Sequence, residues 1–198
     1  MAAESVNHGR RRFLTASTVV VGGVGGIFAA IPFISAWKPN AKAVAAGAPV
    51  TADISKLAVG EQLTIAWRGR PIFIVRRSEE MLAGLPAEDA RLKDPQSAVV
   101  DQQPEFARNG HRSLKPDILV LEGSCTHLGC SPKLHAEVQP EPWDSDWRGG
   151  YYCPCHNSRF DLAGRVYDGS PAPTNLVVPP YRFESDTRVV IGESEGAA

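Results

Sequence analysis

Cys125-Thr126-His127-Leu128-Gly129-Cys130 and Cys153-Pro154-Cys155-His156-Asn157-Ser158 hold every cysteine of the 198-residue chain, together with two of its five histidines. Each box carries two cysteines and one histidine, so the soft ligands are gathered where two loops can close around one centre. Two kinds of centre suit such donors: a tetrahedral zinc and an iron-sulfur cluster. Zinc takes four closed ligands, commonly from Cys-x(2-4)-Cys knuckles. Six soft candidates are too many for one zinc, and neither box is a clean Cys-x-x-Cys. In an oxidising compartment, one Cys and one His from each box could bind metal while the remaining cysteines form a disulfide. The spacing leaves open which cysteines do which.

The paired boxes resemble those of Rieske iron-sulfur proteins, Cys-Thr-His-Leu-Gly-Cys and Cys-Pro-Cys-His-x-Ser. That resemblance implies a [2Fe-2S] cluster, one per chain, held by Cys125, His127, Cys153 and His156. It also implies a Cys130–Cys155 disulfide tying the loops together, as in the high-potential members. Two neutral imidazoles in place of two thiolates leave a cluster less negative and easier to reduce.

A second match lies outside the boxes. The segment 67–77, Trp-Arg-Gly-Arg-Pro-Ile-Phe-Ile-Val-Arg-Arg, resembles the Trp-Arg-Gly-Lys-Pro-Val-Phe-Ile-x-Arg-Arg hairpin of respiratory Rieske subunits. The pattern alone also reads as a hairpin. Leu63, Ile65 and Trp67 alternate with small or polar residues, Arg68-Gly69-Arg70 turns, and 71–75 runs apolar.

Towards the N-terminus, Arg10-Arg11-Arg12-Phe13-Leu14 resembles a twin-arginine export signal, which carries proteins across the bacterial inner membrane already folded. Such a route suits a cluster assembled before export. From Phe13 to Trp37 no residue is charged; as a helix this run spans about 37 Å, against a hydrocarbon core of about 30 Å. Three arginines precede it and Lys38 and Lys42 follow, so the positive-inside rule favours a cytoplasmic N-terminus and an exported body. Ala41-Lys42-Ala43 and Ala43-Val44-Ala45 could serve as cleavage sites. The length of the apolar run favours retention, and respiratory Rieske proteins as a family keep the signal as an anchor. Gly22 and Gly26 offer a close-packing face, and Pro32 a kink.

The expected organisation is a cytoplasmic twin-arginine segment (1–12), a transmembrane anchor (13–37), a linker (38–50) that the resemblance makes a hinge, and a periplasmic domain (51–198). That domain reads as an all-β, antiparallel, Rieske-type body behind one N-terminal transmembrane helix. Short helices are expected at 78–85, with Ser78 as N-cap, and at 87–93. Strands are expected at 118–121, 151–152, 165–167, 176–178, 181–184 and 188–191. His111 reads as a solvent-exposed side chain and His135 as a solvated one that matches no family ligand. Trp143 and Trp147 suit the small core of a loop. Net charge is -1, which gives no nucleic-acid footprint.

The resemblance places a hydroxyl donor to a cluster sulfur at Ser158, which would raise the potential, and Leu128 as an apolar shield at the docking face. Phe160 stands where many respiratory members carry a hydrogen-bonding tyrosine, so a lower potential is expected here. Asn157 stands where glycine is frequent. Residues 169–173, Gly-Ser-Pro-Ala-Pro, resemble the Gly-Pro-x-Pro loop that covers the cluster, with Ser170 as a departure. The implied function is that of the Rieske subunit of a bacterial ubiquinol:cytochrome c oxidoreductase. Its partners would be cytochrome b, a membrane-bound c-type cytochrome and ubiquinol, with His156, and also His127, as catalytic histidines and His156 facing the quinol. Rival readings are the Rieske subunit of a periplasmic molybdenum enzyme such as arsenite oxidase, and a zinc-stapled structural module.

Overall fold

The computed structural model describes residues 7–194. The chain divides into two compact units, one ending at Ala45 and one beginning at Ala46.

The N-terminal unit is built on helix α1, His8–Ser35. Asn7 caps it, its side chain accepting from the Arg10 backbone N–H at 3.1 Å. The helix therefore starts ahead of the uncharged run expected at 13–37 and takes in the arginines, which are good helix formers. It also stops earlier, leaving Trp37 in the turn beyond. Pro32 lies in the final turn without ending the helix. Among the described residues of α1 none is buried, and Phe13, Val21, Phe28 and Phe33 are largely exposed. An apolar helix that its own protein leaves uncovered needs another apolar phase. A short helix, α2 (Ala41–Ala46), follows, with Asn40 Oδ1 accepting from Ala43 N–H at 2.8 Å.

The body consists of three antiparallel three-stranded sheets, ordered β1-β9-β8, β2-β3-β4 and β5-β6-β7. The central hairpin joins β2 (Gln62–Trp67) to β3 (Arg70–Arg76), with Leu63 opposite Ile74 and Ile65 opposite Ile72. Arg68 and Gly69 both have positive φ, 50° and 74°. Such a two-residue turn matches the right-handed twist of the strands. β4 (Ile118–Glu122) pairs with the other edge of β3 and is buried along its whole length.

β8 (Tyr181–Ser185) and β9 (Arg188–Ile191) form the expected C-terminal hairpin. β9 also pairs with β1 (Val50–Asp53), which the sequence reading passed over; Val50 therefore belongs to the body, not to the linker. The third sheet comprises β5 (Lys133–His135), β6 (Gly150–Cys153) and β7 (Ser158–Asp161). The strands expected at 165–167 and 176–178 do not form. Val166 and Tyr167 make isolated bridges to Phe160 and Leu92, and 176–178 makes single hydrogen bonds to Gly164, Gln102 and Glu122. The Arg165 and Val166 amides are taken by the side chains of Asp161 and Asn175, while Pro173, Pro179 and Pro180 flank 176–178, and a residue without an N–H cannot extend a ladder.

Helix α3 (Glu79–Glu88) is capped by Ser78, whose hydroxyl accepts from Met81 N–H at 3.1 Å. The separate helix expected at 87–93 is absent. Ala87 and Glu88 continue α3 past Pro86, and a 3-10 turn, Asp89–Arg91, ends it.

Three buried arginines fasten the loop that follows β7 to the rest of the body. Arg77 donates to the carbonyls of His111 and Leu162, both at 2.9 Å, and of Pro116. Arg112 donates to Ala163 O at 3.0 Å, Leu176 O at 2.8 Å and Gln103 Oε1 at 3.0 Å. Burial pushes both guanidinium pKa values down to about 10, so both stay charged at neutral pH. Arg165 closes an ion pair with buried Asp161 at 2.7 Å and reaches Asp89 at 2.7 Å, joining the end of α3 to the end of β7. Removing one partner of such a buried pair leaves an uncompensated charge, worth about 3–5 kcal/mol.

Candidate metal centre

The first box follows β4, and the second is the turn between β6 and β7. Two glycines permit the close packing beneath them. A Cβ on Gly123 would lie 2.4 Å from the Phe73 ring. On Gly150, where φ is 151°, it would lie 2.0 Å from the Phe160 carbonyl oxygen.

Cys130 and Cys155 form a disulfide, with Cα atoms 6.6 Å apart, that fastens one loop to the other. Cys125 and Cys153 are free and buried, with 3% and 1% of their surfaces exposed. The sulfurs of Cys130, Cys153 and Cys155 lie within 4.8 Å of one another. Proximity alone therefore does not select ligands, because two of those sulfurs are already spent in the bridge. The His127 and His156 rings meet edge to face, with centroids 4.7 Å apart. His127 is half-buried, and its Nδ1 is buried without a hydrogen-bond partner among the described residues. A buried imidazole nitrogen left unpaired is costly unless something outside the polypeptide satisfies it. His156 is exposed, and so is Leu128, at 71%.

Burial pushes the Cys125 thiol pKa up, and the neighbouring Cys153 adds to this; the His127 backbone amide and the Ser158 hydroxyl pull the other way. Ser158 is buried in β7, and its Oγ accepts from the Ala172 backbone N–H at 3.0 Å. With a lone pair so occupied, its hydroxyl hydrogen is free to point at sulfur. The free soft donors at this end of the body are thus Cys125, Cys153, His127 and His156, two thiols and two imidazoles. That donor set fits an iron-sulfur centre with mixed ligation, and also fits the donor preferences of zinc.

Residues 169–173 bind both boxes together with Thr174. The Thr126 hydroxyl donates to Thr174 O at 2.7 Å, and Ser170 Oγ accepts from Arg159 N–H at 3.1 Å. Ser170 thus gives the loop a hydrogen bond to β7. Lys93 Nζ reaches back to the carbonyls of Ser170 and Ala172 at 2.6 and 2.9 Å. Thr126, Lys93 and the Ala172 amide were not singled out in the sequence, since their partners are backbone atoms distant along the chain.

Phe160 is fully buried, opposite Tyr151 in the β6–β7 register, within the same core cluster as Cys125 and Cys153. His135 sits in β5, not free in solvent: its Nδ1 lies 3.3 Å from Glu141 Oε1 and its ring meets Trp143 edge-on. Trp147 is buried against Leu92 and Tyr167, with Trp143 packed beside it. His111, read from sequence as exposed, is half-buried, with Nδ1 3.0 Å from Ser113 Oγ. Desolvation first, and then the Arg77 charge, push its pKa down.

Residues 48–182 match the Rieske [2Fe-2S] domain, and residues 1–40 match the twin-arginine signal of the ubiquinol-cytochrome c reductase Fe-S subunit. The chain is 54% identical over 198 residues to the ubiquinol-cytochrome c reductase iron-sulfur subunit of Allochromatium vinosum, covering all of this chain and 95% of that one. It is 43% identical over 183 residues to the subunit of the same name from Blastochloris viridis, covering 92% of each. The subunit from Bradyrhizobium diazoefficiens is 41% identical over 192 residues, covering 96% of this chain and 98% of that one.

Proposed function

The chain belongs to the ubiquinol-cytochrome c reductase iron-sulfur subunits and carries their Rieske [2Fe-2S] domain, and from that premise we propose that it takes electrons from ubiquinol at cytochrome b and passes them to a membrane-bound c-type cytochrome. The ligands in this reading are Cys125, His127, Cys153 and His156. The observation that carries it is that each box holds one buried free thiol and one imidazole, that the two imidazole rings meet edge to face, and that the buried His127 Nδ1 has no partner among the described residues.

When bound, the cluster supplies one-electron acceptance at a potential that histidine ligation raises in Rieske centres generally. The polypeptide supplies the rest. His156, exposed at the tip of its loop, would present the ring nitrogen not used for ligation, in its deprotonated imidazolate form, to the quinol hydroxyl, accept its hydrogen bond and take up its proton. Leu128 gives the quinol end an apolar contact beside that nitrogen. Ser158 directs its hydroxyl at the Cys125 sulfur, which favours the more negative, reduced state. The Cys130–Cys155 bridge keeps the loops, and therefore the histidines, at a fixed separation.

The arginine-rich start of α1 stays cytoplasmic in this reading, and α1 serves as a retained single-pass anchor for a periplasmic head. Its length, its apolar surface and the match to the export signal support this. Residues 38–49, ahead of β1, act as the hinge that lets the head move between its partners.

Electron paramagnetic resonance on membranes, combined with affinity capture of this chain, tests the proposal. The expected result is a Rieske-type signal and co-purifying cytochrome b. The same signal without cytochrome b would instead support the small subunit of a periplasmic molybdenum oxidase. Zinc without an iron signal would overturn the cluster.

A further inference from the structure

The stretch between the boxes ends in an aromatic brace that reaches the tip of the second loop. Residues 154–157 are all exposed. Exposed tips ordinarily sample several orientations, because few contacts oppose their entropy. His156 sits between two tethers. On one side Cys155 is fixed by its disulfide. On the other, Asn157 has φ 61°, its backbone N–H donates to Cys153 O at 2.9 Å, and its side-chain Oδ1 accepts from the Tyr152 hydroxyl.

That second tether runs inward. The Tyr152 ring stacks on Trp143, with centroids 4.1 Å apart and planes 16° from parallel. Trp143 meets Trp147 edge to face at 6.2 Å. Trp147 is buried, and its indole N–H donates to His135 O at 3.2 Å. Arg159 donates to the Trp143 carbonyl at 3.2 Å, holding that residue from the β7 side. Asn157 is thereby connected, through two side chains, to a residue that does not move without opening the body.

We propose that Asn157 is a positioning residue for His156: its bond to Tyr152 holds the loop tip in the one orientation from which the imidazole meets quinol. The inference rests on the reading of His156 as a quinol-facing ligand. Glycine at this position would keep the left-handed backbone but lose the tether, and a tip free to reorient would be competent for only a fraction of the time. Quinol binding is then weakened by that fraction, while the bound complex reacts at its usual rate.

The test uses the full-length protein assembled in its own membranes, with a short-chain ubiquinol analogue as substrate. Asn157→Gly and Tyr152→Phe should each raise KM by about three- to fivefold, the range one net hydrogen bond supports, with kcat preserved. The resonance signal of the reduced protein should broaden. The double variant should be no worse than either single, and Asn157→Asp, which keeps both the acceptor and the tolerance for positive φ, should restore KM. Should Asn157→Gly fail to accumulate, Tyr152→Phe removes the same bond without touching the tip. Unchanged KM and line shape in both singles, or additive effects in the double, would overturn the inference. His156→Ala separates the two levels. An unaltered signal there overturns the ligand assignment and this inference with it, whereas a lost signal beside an unchanged Asn157→Gly overturns the inference alone.

Discussion

The two boxes carry the same donor types but are anchored differently. In the first, the backbone closes on itself: Cys125 N–H donates to Cys130 O at 2.7 Å and Gly129 N–H to Cys125 O at 2.8 Å, the latter bond made with Gly129 at φ 83°. Apart from the Cys130 disulfide, one side chain, Thr126, ties that loop to its neighbour. The second box is a tight turn on a strand pair with, beyond the strand ladder, a single backbone bond of its own, Asn157 N–H to Cys153 O at 2.9 Å. It is held chiefly by side-chain bonds that reach outside it: Ser158 to the Ala172 amide, Asn157 to the Tyr152 hydroxyl, and Cys155 through the shared disulfide. The result is an unequal pair of histidines, His127 half-buried and His156 exposed. A self-closing loop suits a histidine that only ligates. A loop held from outside can push its histidine into solvent and still orient it.

Removing the bridge should do the most damage. Cys130→Ser/Cys155→Ser deletes a cross-link spanning 25 residues, worth about 3.5 kcal/mol on loop entropy; the double replacement leaves no spare thiol beside Cys153. Thermal unfolding should show that loss, and iron content should fall, because the second loop no longer has its covalent hold. If stability falls by less than about 1 kcal/mol, the second box does not depend on the bridge as described.

Ser158→Ala comes next. It leaves the buried Ala172 amide without its acceptor, a penalty of roughly 1–3 kcal/mol, and should lower the reduction potential by removing the hydroxyl from the sulfur. Urea denaturation and redox titration read the two effects separately. A potential that stays put would place the hydroxyl away from the sulfur.

Thr126→Val tests the first box in the same way. It should cost about 1 kcal/mol with little change in potential, since the backbone bonds of that loop survive. A loss equal to that of Ser158→Ala would erase the contrast between the boxes.

Phe160→Tyr should alter stability least. It introduces the hydroxyl that the sequence resemblance implies at this position, and should raise the potential. A titration showing no change or a decrease would mean that Phe160 serves only to pack the β6–β7 pair.

Both boxes, the central hairpin and the apolar helix were legible in the sequence, because each signal is local: ligand spacing, strand alternation around a turn, an uncharged run. What escaped depends on partners far along the chain. β1 has only four residues and becomes a strand by pairing with β9 at the other end of the body. The stretches at 165–167 and 176–178 have the residue preferences of strands, but side chains of Asp161 and Asn175 take two amides of the first and prolines bound the second. Arg77 and Arg112 look like surface charges in sequence, and are buried only because carbonyls from distant loops surround them. Asn157 stands out in the sequence as a departure from the family pattern, but its tether exists only because β6 brings Tyr152 alongside it.

In the proposed centre one [2Fe-2S] cluster is held by a thiolate and an imidazole from each box. Pulsed electron paramagnetic resonance on the reduced protein, labelled with nitrogen-15 histidine, tests it most directly. Two strongly coupled histidine nitrogens are expected, with His127→Ala and His156→Ala each abolishing the Rieske signal. A single coupled nitrogen, or a signal that survives either replacement unchanged, would contradict it.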